Sequence, residues 1–193
     1  MRRIPVLATL VVVLAVGLMI SLGLWQLRRA EWKEALLARY AVAPSLPPVT
    51  YPQSLVPDER LLFRRATGFC VAPESWTVRA GHNRAGESGW RHIALCRTRG
   101  DADDMAVDLG WSNRSEPPHG YKGGPVSGTL DWDRDHVFVL VSDHAASGLK
   151  LSAKPSAADI PNNHRAYAVQ WFLFAGVALV IYVLALRLRM RRP

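Results

Sequence analysis

The sequence predicts a membrane protein of mixed class: two transmembrane helices, one near each end, flanking an external, mainly antiparallel β domain built as a small sheet or barrel. Three observations predict it. Ile4 to Leu27 is a run of 24 residues without a charge, and Tyr167 to Leu186 is a run of 20. At ~1.5 Å per residue, each is long enough to cross the ~30 Å hydrocarbon core as a helix. All 16 acidic residues lie between these two runs, and from Arg60 onward the segment between them carries the punctuation of strands and turns.

Taken in order, transmembrane helix 1 is expected at 4–27, a juxtamembrane helical extension at 28–43, a Pro-rich connector at 44–59, the external β-rich domain at 60–161, transmembrane helix 2 at 165–186 and a basic cytoplasmic tail at 187–193. The extension follows from Trp25, Arg29, Trp32, Leu36 and Tyr40, which recur at helical spacing in a stretch where Arg28 to Val42 contains no Gly or Pro. Trp25 suits the aromatic belt at a membrane surface. Pro44 ends the helix, and the five prolines from Pro44 to Pro57 favour an extended chain. The first run begins Met1-Arg2-Arg3 but ends in Trp25-Gln26-Leu27-Arg28-Arg29 without a small-x-small cleavage site, so it is expected to be a retained span rather than a cleaved signal peptide.

The net charge of +8 is distributed unevenly. Arg2, Arg3, Arg187, Arg189, Arg191 and Arg192 occupy the chain ends, and the remaining 18 basic residues nearly balance the acids between the spans. A nucleic-acid-binding domain concentrates positive charge in its folded part, and this chain does the opposite. Short Arg-rich flanks are retained on the cytoplasmic side, so both termini are expected there and the central domain across the membrane.

Arg64 to Val71, Ser75 to Ala80, Trp90 to Arg97, Met105 to Trp111, Val126 to Leu130 and Val137 to Ser142 read as strands, and no helical pattern falls between them. Asp101, Asp103 and Asp104 read as a solvated turn. Pro155 to Pro161 is a loop, and Asn162 or Asn163 is placed to cap the helix that follows. On the spans, Gly17 and Ser21 form a small-xxx-small pair suited to close helix approach, as Ala175 or Gly176 would be on the second. Gln170, polar within the second span, is expected to face a partner helix rather than lipid.

Cys70 and Cys96, 26 residues apart, are the only cysteines. Without CxxC-type spacing they are either two buried small residues or one structural disulfide, which an oxidising compartment permits. His82, His92, His119, His136 and His144 are scattered without metal-ligand spacing and read as surface or turn residues. There is no G-x-S-x-G, P-loop or paired-carboxylate motif, and nothing argues for catalysis. His164 differs by its place at the edge of a span, on one helical face with Ala168, Trp171 and Phe172. A neutral imidazole beside flat apolar surface is the arrangement that holds a haem, with Arg165, Arg28 and Arg29 as cations for its propionates. The alternative is that His164 hydrogen-bonds lipid headgroups or Asn162.

Two stretches resemble the surfeit locus 1 family. Leu22-Gly23-Leu24-Trp25-Gln26-Leu27-Arg28-Arg29 with Trp32-Lys33 is similar to its opening signature. Asn162-Asn163-His164 with Tyr167-Ala168 and Gln170-Trp171-Phe172 is similar to its closing one. Phe63-Arg64-Arg65-Ala66-Thr67-Gly68 and Gly110-Trp111 match more weakly, and Asp108-Leu109 stand where many members have Asn-Arg.

The resemblance implies an assembly factor, not an enzyme, for a haem-copper terminal oxidase of the cytochrome c oxidase type. It implies binding of haem a and help with its insertion into the large catalytic subunit. His164 would be the axial ligand and the only metal contact, with Trp171, Phe172, Arg28, Arg29 and Arg165 around it. The implied partners are that subunit, a haem a synthase and the lipid bilayer, with no nucleic acid. The implied location is the bacterial plasma membrane with a periplasmic central domain, or the mitochondrial inner membrane. A scaffold that stabilises the apo-subunit without touching haem is the other mechanism the resemblance allows. If Trp25, Arg28 and Arg29 share a pocket with His164, the outer ends of both spans must adjoin.

Overall fold

The computed structural model describes residues 5–52, 56–98 and 104–191. It divides into two compact units, Met1–Leu36 with Pro161–Pro193, and Leu37–Ile160. Of the acidic turn, only Asp104 lies within the described residues, and it is exposed; Asp101 and Asp103 fall outside them, as do Arg2, Arg3 and Arg192.

The first unit is a pair of helices. Helix α1 (Val6–Val42) has 37 residues and α2 (His164–Arg191) has 28, lengths of about 55 and 42 Å at ~1.5 Å per residue. Both are long and apolar enough to cross a membrane. A run of valines and leucines forms helix here because lipid offers no partner for backbone N–H and C=O, so each must be satisfied within its own segment. The helices meet at three levels: Thr9 Oγ1 hydrogen-bonds the Tyr182 hydroxyl, Gly23 receives Phe172, and Gln26 bonds His164. They are therefore antiparallel, and the ends that carry Gln26 and His164 adjoin as the pocket expectation required.

The close approach lies at Gly23 rather than at the expected pair. A Cβ on Gly23 would stand 2.6 Å from the Phe172 ring, whereas one on Gly17 would meet nothing within 4 Å. Ser21 is exposed and turns its hydroxyl back to the Gly17 carbonyl at 2.8 Å. On α2, Ala175 is buried and Gly176 is open. Gln170 is exposed and so does not face α1. The small pair is unused because α1 and α2 pack through another face, the one carrying Thr9, Gly23 and Gln26.

The second unit is a seven-stranded mixed sheet: β1 (Val49–Thr50), β2 (Arg65–Cys70), β3 (Ala72–His82), β4 (Ser88–Arg97), β5 (Met105–Ser112), β6 (Gly124–Asp133) and β7 (Val137–Ser142), in spatial order β1-β2-β6-β7-β5-β4-β3. Four pairings are antiparallel; β1–β2 and β5–β7 are parallel. The sheet is not a closed barrel, but it coils. Strands β2 and β3 are separated only by Val71, yet four strands lie between them in the order, β3 at one edge and β2 next to the other. Val71 N–H donates to Arg97 O at 2.8 Å, and Cys70 and Cys96 form a disulfide with Cα atoms 5.1 Å apart. The two cysteines are thus not merely small core residues.

Register explains the core. Leu130 opposes Leu140, which opposes Val107, then Ala94, then Trp76. Opposed side chains share a face, and this row runs through the main core with Met105, Phe138 and both cysteines. The next row lies on the other face, where Ile93, Ala106, Val139 and Val141 form a second buried cluster. Strand β5 is buried on both faces, which is why Met105 to Trp111 reads as an unbroken buried run.

The Pro-rich segment 44–59 is more than a spacer. It supplies β1, and Tyr51 buries its ring in the main core, where its hydroxyl donates to Phe138 O at 2.7 Å. Burial pushes the Tyr51 hydroxyl pKa up to about 12. The six strands expected from sequence are all present, with β3 beginning earlier, at Ala72. The loop before α2 contains one 3-10 turn, Ala157–Asp159, capped by Ser156 Oγ accepting from Ala158 N–H at 3.1 Å.

Candidate functional site

The candidate residues of the helix pair gather where α2 begins. Asn163 lends its carbonyl to Tyr167 N–H at 3.1 Å, which starts the helix, while Asn162 Oδ1 is buried without a partner among the described residues. His164, the first residue of α2, is half-buried, and its Nδ1 lies 2.8 Å from Gln26 Oε1. An amide oxygen only accepts, so Nδ1 carries the proton and donates it. In the neutral ring this arrangement makes Nε2 the unprotonated nitrogen, and no described residue hydrogen-bonds it. That is the state in which an imidazole ligates a metal.

The neighbours divide. Ala168 is fully buried one turn along. Phe172 is committed to Gly23. Trp171 is half-buried and meets Phe174 edge-on, ring centroids 6.2 Å apart. Arg165 forms a two-pronged ion pair with Glu34 at 2.7 and 2.8 Å. The Arg29 guanidinium stacks 4.3 Å above the Trp32 ring, and Arg28 is exposed with no ion-pair partner among the described residues. Sequence reasoning quoted Gln26 only as part of a signature and gave no role to Glu34. The signal available was antiparallel counting: a polar residue ending one apolar run must come near the residue opening the other.

The β unit holds a separate polar network. Asp108 is 1% exposed, and its carboxylate accepts from Arg91 Nε at 2.6 Å, Ser152 Oγ at 2.8 Å and Gly110 N–H at 2.9 Å. The β4–β5 register slips between Arg91 and Ile93, opposite Gly110, whose φ is +134°. A Cβ there would stand 2.7 Å from Lys150 O, so glycine both allows the bulge and admits that loop. The bulge turns Trp111 inward to donate from Nε1 to Gly81 O at 3.3 Å. The Gly110-Trp111 pair and the departure at Asp108 therefore serve one structural joint.

Among the histidines of this unit, His92 departs from the surface reading. It is fully buried, its Nε2 lies 2.9 Å from Ser112 Oγ, and Nδ1 has no partner among the described residues; burial lowers its pKa. His136 binds Asp133 at 2.8 Å within the β6–β7 turn, and His82, His119 and His144 are exposed. A cleft of about 840 Å³ beside Ser112 is lined by Arg114, Glu116, His119 and Leu149. Among the described residues, no three His, Cys, Asp or Glu side chains converge as a metal site.

Two membrane-length helices and a folded β unit between them define a two-span membrane protein with a large inter-span domain. A match to the SURF1 family covers residues 13–176, and the chain belongs to that family. SURF1 proteins are assembly factors of cytochrome oxidases rather than catalysts, and membership supports that role and a membrane location for this chain. A comparison with curated proteins returned no match.

Proposed function

We propose that this chain binds haem a at the paired helix ends through His164 Nε2 and assists its insertion into the large catalytic subunit of a haem-copper oxidase. The observation that carries the reading is the Gln26–His164 hydrogen bond at 2.8 Å, because a neutral imidazole that donates from Nδ1 presents Nε2 as its unprotonated nitrogen. The donor set suits the group: an imidazole for the iron, a half-buried Trp171 two turns along the same helix, and Arg28 and Arg29 for carboxylates. Arg165 would have to exchange Glu34 for a propionate, and Phe172 supports the helix contact rather than offering a free face. When bound, the group would supply an iron for the imidazole nitrogen and carboxylates for the arginines. The chain's own work is to present one nitrogen, exclude headgroup water with the aromatics and hold the carboxylates at the membrane surface.

In this reading Arg187, Arg189 and Arg191 hold both termini in the cytoplasm, and the β unit lies across the membrane. The haem a synthase would be the donor. The scaffold reading is favoured by one observation, that Gln170 is exposed on α2 and so turned outward, where a subunit's helix would satisfy it.

The test is expression in cells that make haem a, purification in mild detergent, and a pyridine haemochrome spectrum beside that of His164→Ala. A haem a signal lost in the variant supports carriage. No haem in either protein, with the oxidase's large subunit still copurifying, overturns carriage and leaves the scaffold.

A further inference from the structure

We propose that Gln26 is a positioning residue that selects the ligating nitrogen of His164 and keeps that nitrogen a moderate donor, so that what it binds can be released. The inference rests on the reading of His164 as a ligand, but its first part concerns the protein alone.

An isolated neutral imidazole carries its proton on either nitrogen, with Nε2–H preferred in a free histidine side chain. That tautomer would block Nε2. Gln26 Oε1, 2.8 Å from Nδ1, reverses the preference, because only the Nδ1–H form can donate to it. The amide is held in place by the helix packing. Gly23, one turn before Gln26, admits Phe172, and Ala30 and Ala168, one turn beyond Gln26 and His164, are both buried. A bulkier residue at position 23 would move the carbonyl away from the ring.

The choice of an amide is informative. Histidine ligands commonly donate their second N–H to a carboxylate or a carbonyl, and the partner sets how basic the ligating nitrogen becomes. A carboxylate would draw the proton, give the ring imidazolate character and strengthen the bond to iron. An amide fixes orientation without that push. Glu34, which reaches this end of α2, has its carboxylate taken by both prongs of Arg165 rather than by His164. The chain thus presents an oriented ligand with a neutral partner, which suits transfer rather than permanent retention.

The experiment uses the full chain in detergent with Gln26→Leu, Gln26→Glu and His164→Ala, each checked for unchanged helicity. In the haem-free protein, histidine ¹⁵N spectra identify His164 by difference against His164→Ala. The expected result is the Nδ1–H tautomer in the parent and in Gln26→Glu, and its loss in Gln26→Leu. After loading with ferric haem, the reduction midpoint should move negative in Gln26→Glu and positive in Gln26→Leu. Transfer to apomyoglobin should slow about tenfold or more in Gln26→Glu, on the scale by which such partners alter metal affinity. An Nδ1–H tautomer that survives in Gln26→Leu overturns the inference, as do midpoints that move the same way in both variants. A parent that takes up no haem, with its tautomer still lost in Gln26→Leu, overturns haem carriage while upholding the positioning role.

Discussion

The disulfide permits a worked prediction. Cys70 and Cys96 are both fully buried and lie 26 residues apart, and their bond ties the end of β2 to the end of β4 across the coiled sheet. Constraining an unfolded loop of that size removes about 12 cal/mol/K of chain entropy, or about 3.5 kcal/mol at 25 °C. The β unit, Leu37–Ile160, unfolds with an entropy of about 0.26 kcal/mol/K at the usual value per residue, so losing the bond should lower its Tm by about 13 °C. The assay is thermal unfolding in detergent followed by tryptophan fluorescence, because Trp111 sits buried in β5. The parent, the parent with dithiothreitol and the Cys70→Ala/Cys96→Ala variant are compared. The double alanine variant should fall slightly further than the reduced parent, since it also removes two buried sulfur atoms. An unchanged Tm on reduction would refute the reasoning, as would two titratable thiols in the protein unfolded without reductant.

Other perturbations follow from the same geometry. Asp108→Ala removes a carboxylate that satisfies three donors and leaves the half-buried Arg91 only the more distant Asp131, at 3.9 Å, so the β unit should lose about 3–5 kcal/mol, read as a shifted urea midpoint. Gly23→Leu drives a side chain into Phe172 and should cost about 1–3 kcal/mol of helix-pair stability; Phe172→Ala in the same chain should recover part of it, and additive losses would show that the two do not touch. Asp131 is held above the usual carboxylate range, first by burial and then by the charges of Asp108 and Asp133, with Arg91 opposing. Its folded pKa exceeds its unfolded one, so it favours the folded state at low pH and this contribution is lost as pH rises through the folded value. Asp131→Asn should therefore be more stable than the parent at pH 7, and the difference should vanish near pH 3, as thermal melts at the two pH values would show.

The sequence carried the end helices and the β content because length and punctuation are local signals. It did not carry the helix contact. In lipid every face of a span is apolar, so the pattern of Ile4 to Leu27 cannot say which stripe packs. Gly17 and Ser21 fit a known spacing, but Gly23 is the residue that α2 needs. Strand order was equally hidden. The pairing of β2 with β6 joins residues far apart in sequence, and β1 is only two residues long. The buried Tyr51 lay in a segment whose prolines advertised a linker. Of the site, His164 stood out by position, whereas Gln26 acquired meaning only when antiparallel packing placed it opposite.

The separation of β2 from β3 by four intervening strands, although the two are consecutive in the chain, bears on biogenesis. Strand β2 is complete at Cys70, but its antiparallel partner β6 begins at Gly124. A ribosome adding residues from the N-terminus therefore finishes β2, β3, β4 and β5 before β2 has anything to pair with except the two residues of β1. Meanwhile β3, β4 and β5 can zip into a meander from short-range contacts. Sheet completion waits for the β6–β7 hairpin, whose β7 must slot in parallel beside β5, a pairing of the slow, non-local kind. Cys96 is synthesised well before β6, so an oxidant acting early can join it to Cys70 while β2 is still unpaired. The meander and the crosslink would then act as a template that the late hairpin has only to complete, and release of an unfinished chain would leave an open strand edge at β2 exposed to self-association.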